Sequence, residues 1–242
     1  AYIGLDKREE AIADYSKAIE LQPENSFHYL DRGRLYSRGS EPEKALSDFT
    51  KALELRPGDF FVHAQRAEVY FAMGSTQQAY DEYYQVLSIR RDYHPAFLPF
   101  AILSFELEYY DRANRFFYEA WQKTPGDYCL LFASAVSQKL AGHEQEARQQ
   151  LAESGRRIPS DGALWAVSRF LQNPGSDQLA LQEIQKLDDE VLQTQLKFYM
   201  GVQYMLNGQA VLASRYLHDV ADTQHLSLPE YRMATALTKD ME

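Results

Sequence analysis

The sequence predicts an all-α fold, a solenoid of antiparallel helix pairs, and three observations carry that reading. Alanine recurs at Ala11, Ala45, Ala79, Ala113 and Ala147, always in steps of 34 residues. Proline recurs in the same register at Pro23, Pro57, Pro125 and Pro159, with Arg91 where the missing one would fall. Each period holds two apolar stripes at helical spacing, separated by a short break. A unit of this size cannot bury its apolar face alone, so neighbours stack and share one core.

Taken in order, Tyr2 falls in the register of Tyr36 one period later, so the chain is expected to begin mid-helix, its first repeat lacking at least half a unit. The second helix of that repeat carries Ala11, Tyr15 and Ala18 and stops before Pro23. In the second repeat Tyr29, Arg32, Gly33 and Tyr36 mark one helix face. Gly39 is expected to cap that helix in the left-handed conformation, and Ser40 with Glu43 to form a capping box for the next. The partner helix carries Ala45, Phe49, Ala52 and Leu53, and Pro57 ends it because it lacks an N–H and restricts its predecessor. Small residues at Gly33, Ala67, Ala101 and Ala135 face the recurring alanines and let paired backbones approach. The large slot four residues after each alanine holds Tyr15, Phe49, Tyr83, Phe117 and Leu151.

Residues 1–159 are therefore regular repeats, and 160–242 continue the same solenoid less regularly. Trp165 opens a sixth unit that "QNPGSDQ" cuts short, leaving a brief stripe of Leu179, Ile184 and Leu187. The order resumes in "LKFYMGVQYMLNGQAVLASRYLHDVA", with Gly201, Tyr204, Gly208, Ala213 and Leu217 in place. A last helix beginning at Pro229 is expected to cap the stack, with Lys239, Asp240 and Glu242 as its polar end. The count is about seven repeats, the sixth irregular.

Composition narrows function by exclusion. The net charge of −10 is shared equally between residues 1–125 and 126–242, and no basic patch stands out. Phosphate-backbone attraction cannot then drive binding, which argues against nucleic acid and against an anionic membrane surface. No apolar run is long enough for a transmembrane helix. The single cysteine, Cys129, allows no intrachain disulfide and no paired-cysteine metal knuckle.

The chain shows no phosphate loop, zinc-protease, nucleophile-elbow or calcium-loop motif. Its six histidines, His28, His63, His94, His143, His218 and His225, make no pair one helical turn apart. The run Asp188-Asp189-Glu190 suits a helix N-terminus, where carboxylates meet the positive end of the dipole. No enzyme, cofactor or metal is called for.

The pattern resembles the tetratricopeptide repeat (TPR), most closely in "YLDRGRLYSRGSEPEKALSDFTKALELRP" at residues 29–57. The family's tryptophan slot holds Tyr29, His63, Phe97 and Leu131, and only Trp165 fills it literally. The resemblance implies a right-handed superhelix whose first helices line a concave, ligand-binding face. The inner stripe then comprises Phe27, Leu30, Arg34 and Ser37, followed by Phe61, Ala64, Glu68 and Phe71. The next two units contribute Pro95, Leu98, Ile102 and Phe105, then Cys129, Phe132, Val136 and Lys139. The lysine and asparagine with which TPR domains clamp chaperone C-termini are absent at these positions.

The resemblance thus implies a non-catalytic scaffold or adaptor whose partner is a protein or peptide, an apolar segment or amphipathic helix, held in an apolar and aromatic groove. Equally open is that this stripe is buried as core, by a tighter superhelix or by another segment of the same chain. Self-association into a homodimer is the alternative function. Residues 160–235, with "FYMGVQYMLNG" and "EYR", are also similar to the TPR lipoproteins of the bacterial envelope of the NlpI type. That likeness implies a periplasmic or outer-membrane-attached scaffold, with the lipid-bearing cysteine upstream of Ala1.

Overall fold

A computed structural model describes residues 2–239 and 241, with fourteen α-helices and no strand among them. The chain divides into two compact units, Ala1–Ala96 and Phe97–Glu242. This division follows contacts, whereas the boundary drawn from the sequence at 159–160 follows the regularity of the repeat.

The first unit holds α1 (Tyr2–Leu21), the pair α2 (Ser26–Arg38) and α3 (Pro42–Leu55), and the pair α4 (Phe60–Ala72) and α5 (Thr76–Ile89), closed by a 3-10 turn at His94–Ala96. Helix α1 runs unbroken from Tyr2 to Leu21; the side chains of residues 2–6 lie outside the described residues. From α2 onward each break falls where the period puts it. Asn25 caps α2 by accepting the Phe27 N–H, and 34 residues later Asp59 caps α4 by accepting from Phe61 and Val62.

The connection between paired helices corrects one detail. Ser40, not Gly39, takes the left-handed conformation, at φ 57°, in register with Gly74 at 70°. Gly39 has φ −89°, and a Cβ there would fall 2.2 Å from Nη1 of Arg8, so this glycine makes room for a side chain rather than for a turn. No capping box forms at Ser40 and Glu43: α3 starts after Glu41 with Pro42 in its first turn and no side-chain cap.

Packing in the first unit follows the small-residue pattern. Ala45, Phe49, Ala52, Ala67 and Ala79 are all fully buried. A Cβ on Gly33 would lie 2.7 Å from the Phe49 ring, which is why that position is glycine. A polar seam crosses the core. Arg32 donates to both Asp48 oxygens at 2.9 and 2.8 Å and to Ser16 Oγ at 3.0 Å. One period on, Arg66 donates to Glu82 at 2.6 Å and to Thr50 at 3.2 Å. Each arginine therefore ties its own partner helix to the preceding one. His63 joins the second of these groups, its Nδ1 2.8 Å from Glu82 and its Nε2 3.1 Å from the Pro57 carbonyl oxygen. The bond to Glu82 raises the His63 pKa against the opposing effect of burial. The histidine is structural.

The second unit comprises α6 (Phe97–Glu106) with α7 (Tyr110–Lys123), α8 (Tyr128–Leu140) with α9 (Glu144–Ser154), α10 (Gly162–Gln172) with α11 (Asp177–Gln185), α12 (Glu190–Leu206) with α13 (Ala210–Ala221), and α14 (Pro229–Thr238). The seam seen at Arg32 changes chemistry here but keeps its spacing of 16 residues. Phe100 meets Phe116 edge to face at 4.9 Å, and Gln150 donates to Ser134 at 2.8 Å. Pro99 sits in the first turn of the ten-residue α6, where its missing N–H has no intrahelical bond to lose.

The irregular sixth pair is short because Asn173 turns the chain, its Oδ1 accepting from Gly175, into a 3-10 turn before the nine-residue α11. Asp189 caps α12 by accepting from Leu192 at 3.0 Å. Gly201 lies against Leu217 as Gly33 lies against Phe49, which fixes α12 and α13 as a true pair. Helix α12 packs on both α8 and α10, and α14 packs on α13, α6 and α12. Lys239 is exposed at the end of α14, while Asp240 and Glu242 lie outside the described residues.

Glu108 repeats the left-handed position at φ 61°, between Gly74 and Gly142 in the period. Such a conformation costs a side-chain-bearing residue about 1 kcal/mol or more, only partly offset by glycine's extra freedom when unfolded. Glu108→Gly is thus expected to raise stability by roughly 0.5–1 kcal/mol, read as a higher urea midpoint. A lower midpoint would mean that Glu108 makes a contact worth more than its strain.

Candidate protein-binding surface

In the first unit the inner stripe is partly open. Phe27 is 54% exposed, with the Arg56 guanidinium 4.9 Å from its ring centre. Beside it lies an open recess of about 560 Å³ lined by Pro23, Asn25, Phe27 and Arg56 among others. Leu30 and Ala64 are buried, Phe61 and Phe71 half-buried, and Ser37 and Glu68 exposed. Arg34 lies 5.7 Å from the centre of the Phe61 ring and 3.4 Å from Asp31, which links α2 to α4 across the stripe. Gln65 donates to Glu68 at 3.0 Å. Partial enclosure by protein raises the Glu68 carboxyl pKa, held back by Gln65 and by the charge of Arg34. Tyr93 stands edge-on to Phe60 at 5.5 Å, and its pKa is raised by burial and by the charge of Glu68. The result is an amphipathic strip on α2 and α4: aromatic rings along its length, one cation and one carboxylate in its middle.

In the second unit the same register positions form interior, the core alternative that the sequence left open beside the groove. Leu98 is half-buried and Pro95, which belongs to the first unit, is exposed. Ile102, Phe105, Cys129, Phe132, Val136 and Lys139 are all buried, none more than 5% exposed. What covers them is the same chain. Phe105 packs on Phe198 and Phe132 on Tyr199, both edge to face, at 6.2 and 5.6 Å. Lys139 does not offer its charge to a ligand. Its ammonium donates to the Leu171 carbonyl oxygen at 2.5 Å and to Gln203 Oε1 at 2.6 Å, joining α8, α10 and α12. Burial pulls the Lys139 pKa down to about 8, opposed by the charge of Glu144. The sixteen residues of the predicted stripe therefore divide into a partly open set in the first unit and a set in the second that is buried except for the half-buried Leu98.

Burial raises the Cys129 thiol pKa far above its ordinary value, and no cation counters it, so the thiol stays protonated. Among the described residues no group of three His, Cys, Asp or Glu could hold a metal ion, and no helix is long and apolar enough to cross a membrane.

Stacked helix pairs with this period, small-residue contact and inner stripe define a helical-repeat protein. The tetratricopeptide-repeat model matches residues 1–25 and 29–59, so the chain carries TPR repeats, and its fold is that of the TPR solenoids. The solved structure of YrrB, described as a TPR protein with an unusual peptide-binding site, is 21% identical over 93% of this chain and 97% of that one, with a TM-score of 0.54. A tetratricopeptide repeat protein from Parabacteroides merdae is 18% identical over 97% and 95%, at 0.56. MamA is 17% identical over 62% of this chain and 82% of its own, at 0.52. At these identities the likeness is one of fold. No curated protein sequence matches the chain.

Proposed function

We propose that the protein is a non-catalytic scaffold that holds a protein or peptide partner on the α2–α4 face of its first unit. The observation that carries this reading is the contrast between the units. The inner stripe is sealed by the chain's own helices in the second unit, while in the first it leaves Phe27 exposed and Phe61 and Phe71 half-buried. Aromatic rings flanked by Arg34 and Glu68 suit an amphipathic helix or apolar peptide that brings complementary charge to the centre of the strip. The peptide-binding site described for YrrB, on the same fold, supports a peptide as the class of partner.

The test is the double variant Phe61→Glu with Phe71→Glu, used beside the wild type in affinity capture. Both side chains are only half-buried, so the fold is expected to survive at a cost of about 1–2 kcal/mol. Loss of two aromatic anchors is expected to weaken binding by about 30-fold or more. Partners retained at wild-type affinity would sink the proposal. A second reading, self-association, draws on the exposed Leu206 and Val211 at the α12–α13 turn, where a recess of about 520 Å³ is lined by Met205, Val211 and Met241 among others. Sedimentation of the same preparations separates the two readings.

A further inference from the structure

Glu230, in the first turn of α14, is 2% exposed, and Tyr199 of α12 is fully buried beside it. Glu230 Oε1 stands 2.5 Å from the Tyr199 phenolic oxygen, which stands 2.8 Å from the carbonyl oxygen of Cys129 in α8. Three oxygens in such a row need two hydrogens between them. The phenol supplies one and the carbonyl none, so the second must come from the carboxyl group. We propose that Glu230 is a proton-operated latch: it is a neutral carboxylic acid while α14 is docked, and its ionisation loosens α14. Once ionised, the carboxylate claims the phenol's hydrogen, the link from Tyr199 to Cys129, which ties α12 to α8, is lost, and the buried charge left on Glu230 is relieved only when α14 undocks. The proposal stands apart from the binding reading for the first unit.

The surroundings favour the neutral acid. From the α8 side Glu230 meets the negative charge of Asp127 and the Cys129 thiol, and from α12 it meets Tyr199 and Gln195, whose amide lies 3.3 Å from both carboxyl oxygens. Of the other charged groups on α12, Glu190 is exposed and Lys197 pairs with Asp219 of α13. On α13, Arg215 is exposed, Tyr216 stacks on Tyr204, and His218 bonds back to Ser214. From α6 comes Glu106, whose carboxylate receives Arg232 of α14. Among the described residues, none of the hydrogen-bond or charge partners of Glu230 is a cation. Burial accordingly raises its pKa above the ordinary 4.5, opposed by the hydrogen bonds that Tyr199, its own backbone N–H and Gln195 give to the ionised form.

A raised value in the docked state fixes the direction. The carboxyl's contribution to docking is complete below pH 4.5 and is lost as pH rises through the docked-state value. Within that window the opening equilibrium of α14 grows by up to about tenfold per pH unit. The test is hydrogen exchange of amides 229–238 in the full chain, corrected for intrinsic rates, from about pH 4 to about pH 9, in wild type and in Glu230→Gln. The amide of the variant donates to Tyr199 at every pH, so its protection is expected to stay flat while that of the wild type falls. The Glu106–Arg232 pair is common to both proteins and cancels in the comparison. Equal slopes would overturn the proposal. Carbon NMR titration of the Glu230 carboxyl in the wild type gives an independent reading that needs no variant: a midpoint above 4.5 supports the latch, and one at or below it refutes it.

Discussion

Phe132→Glu is expected to unfold the second unit, with a loss of more than about 4 kcal/mol. Phe132 is fully buried on α8 and meets the Tyr199 ring of α12 edge to face. Removing the ring alone forfeits about 3–5 kcal/mol of transfer and packing. The new carboxylate would then sit in the interior beside Tyr199, which already bonds the buried acid Glu230. The one buried cation on that helix, Lys139, is engaged with Leu171 and Gln203. Denaturant unfolding followed by far-UV circular dichroism reads the effect, and the Phe61→Glu, Phe71→Glu double variant is the control. Both sets lie on the predicted inner stripe, so equal tolerance of both changes would mean that the α8 face is open to solvent. The separation of the units into covered and partly open stripes would then fall.

The second large effect is at Lys139. Leu171 lies in the last turn of α10, where carbonyl groups have no intrahelical donor and the helix dipole is negative. The ammonium supplies that donor, and its second bond holds Gln203, whose amide in turn donates to Asn207 at 2.8 Å. Lys139→Ala leaves two buried acceptors unsatisfied and opens a cavity, at an expected cost of roughly 3 kcal/mol. Lys139→Met is expected to cost less, because it fills the volume and removes a buried charge. The pH dependence has a definite sign. With the folded-state pKa at about 8 against an ordinary 10.5, the unfolded chain holds the proton more tightly between those values. Rising pH across that interval therefore relieves the cost of burying the ammonium, and the neutral amine still donates to both acceptors. The stability of wild type relative to Lys139→Met should increase from about pH 8 to about pH 10.5 in urea titrations. A flat difference would mean that the ammonium is hydrated.

The helix pairs were legible in the sequence because their signals are local and steric. An alanine or glycine is needed wherever two backbones meet, and 34 residues is the length of one pair with its two turns. The seam at spacing 16 was legible too, yet easily passed over. Arg32 with Asp48 and Arg66 with Glu82 recur one period apart, but Arg32 sits among apolar positions and reads as part of the stripe. Phe100 with Phe116 and Ser134 with Gln150 hide the same position under other chemistry. Composition points to Gly39 for the left-handed turn because glycine is the usual left-handed residue, whereas register with Gly74 and Gly142 points to Ser40, where the structure has it.

By itself, then, the sequence determined the class of fold and the repeat register, since these follow from spacing within about forty residues. Only the tertiary structure decided which inward positions meet solvent. That depends on α12 reaching back to α8 and α14 to α6, through contacts such as Lys139 with Gln203 and Glu106 with Arg232. Such pairings arise from small rotations summed over several stacked helices, and no local pattern encodes that sum. The same register slot is therefore a half-buried Phe71 in one unit and a buried Phe105 in the other.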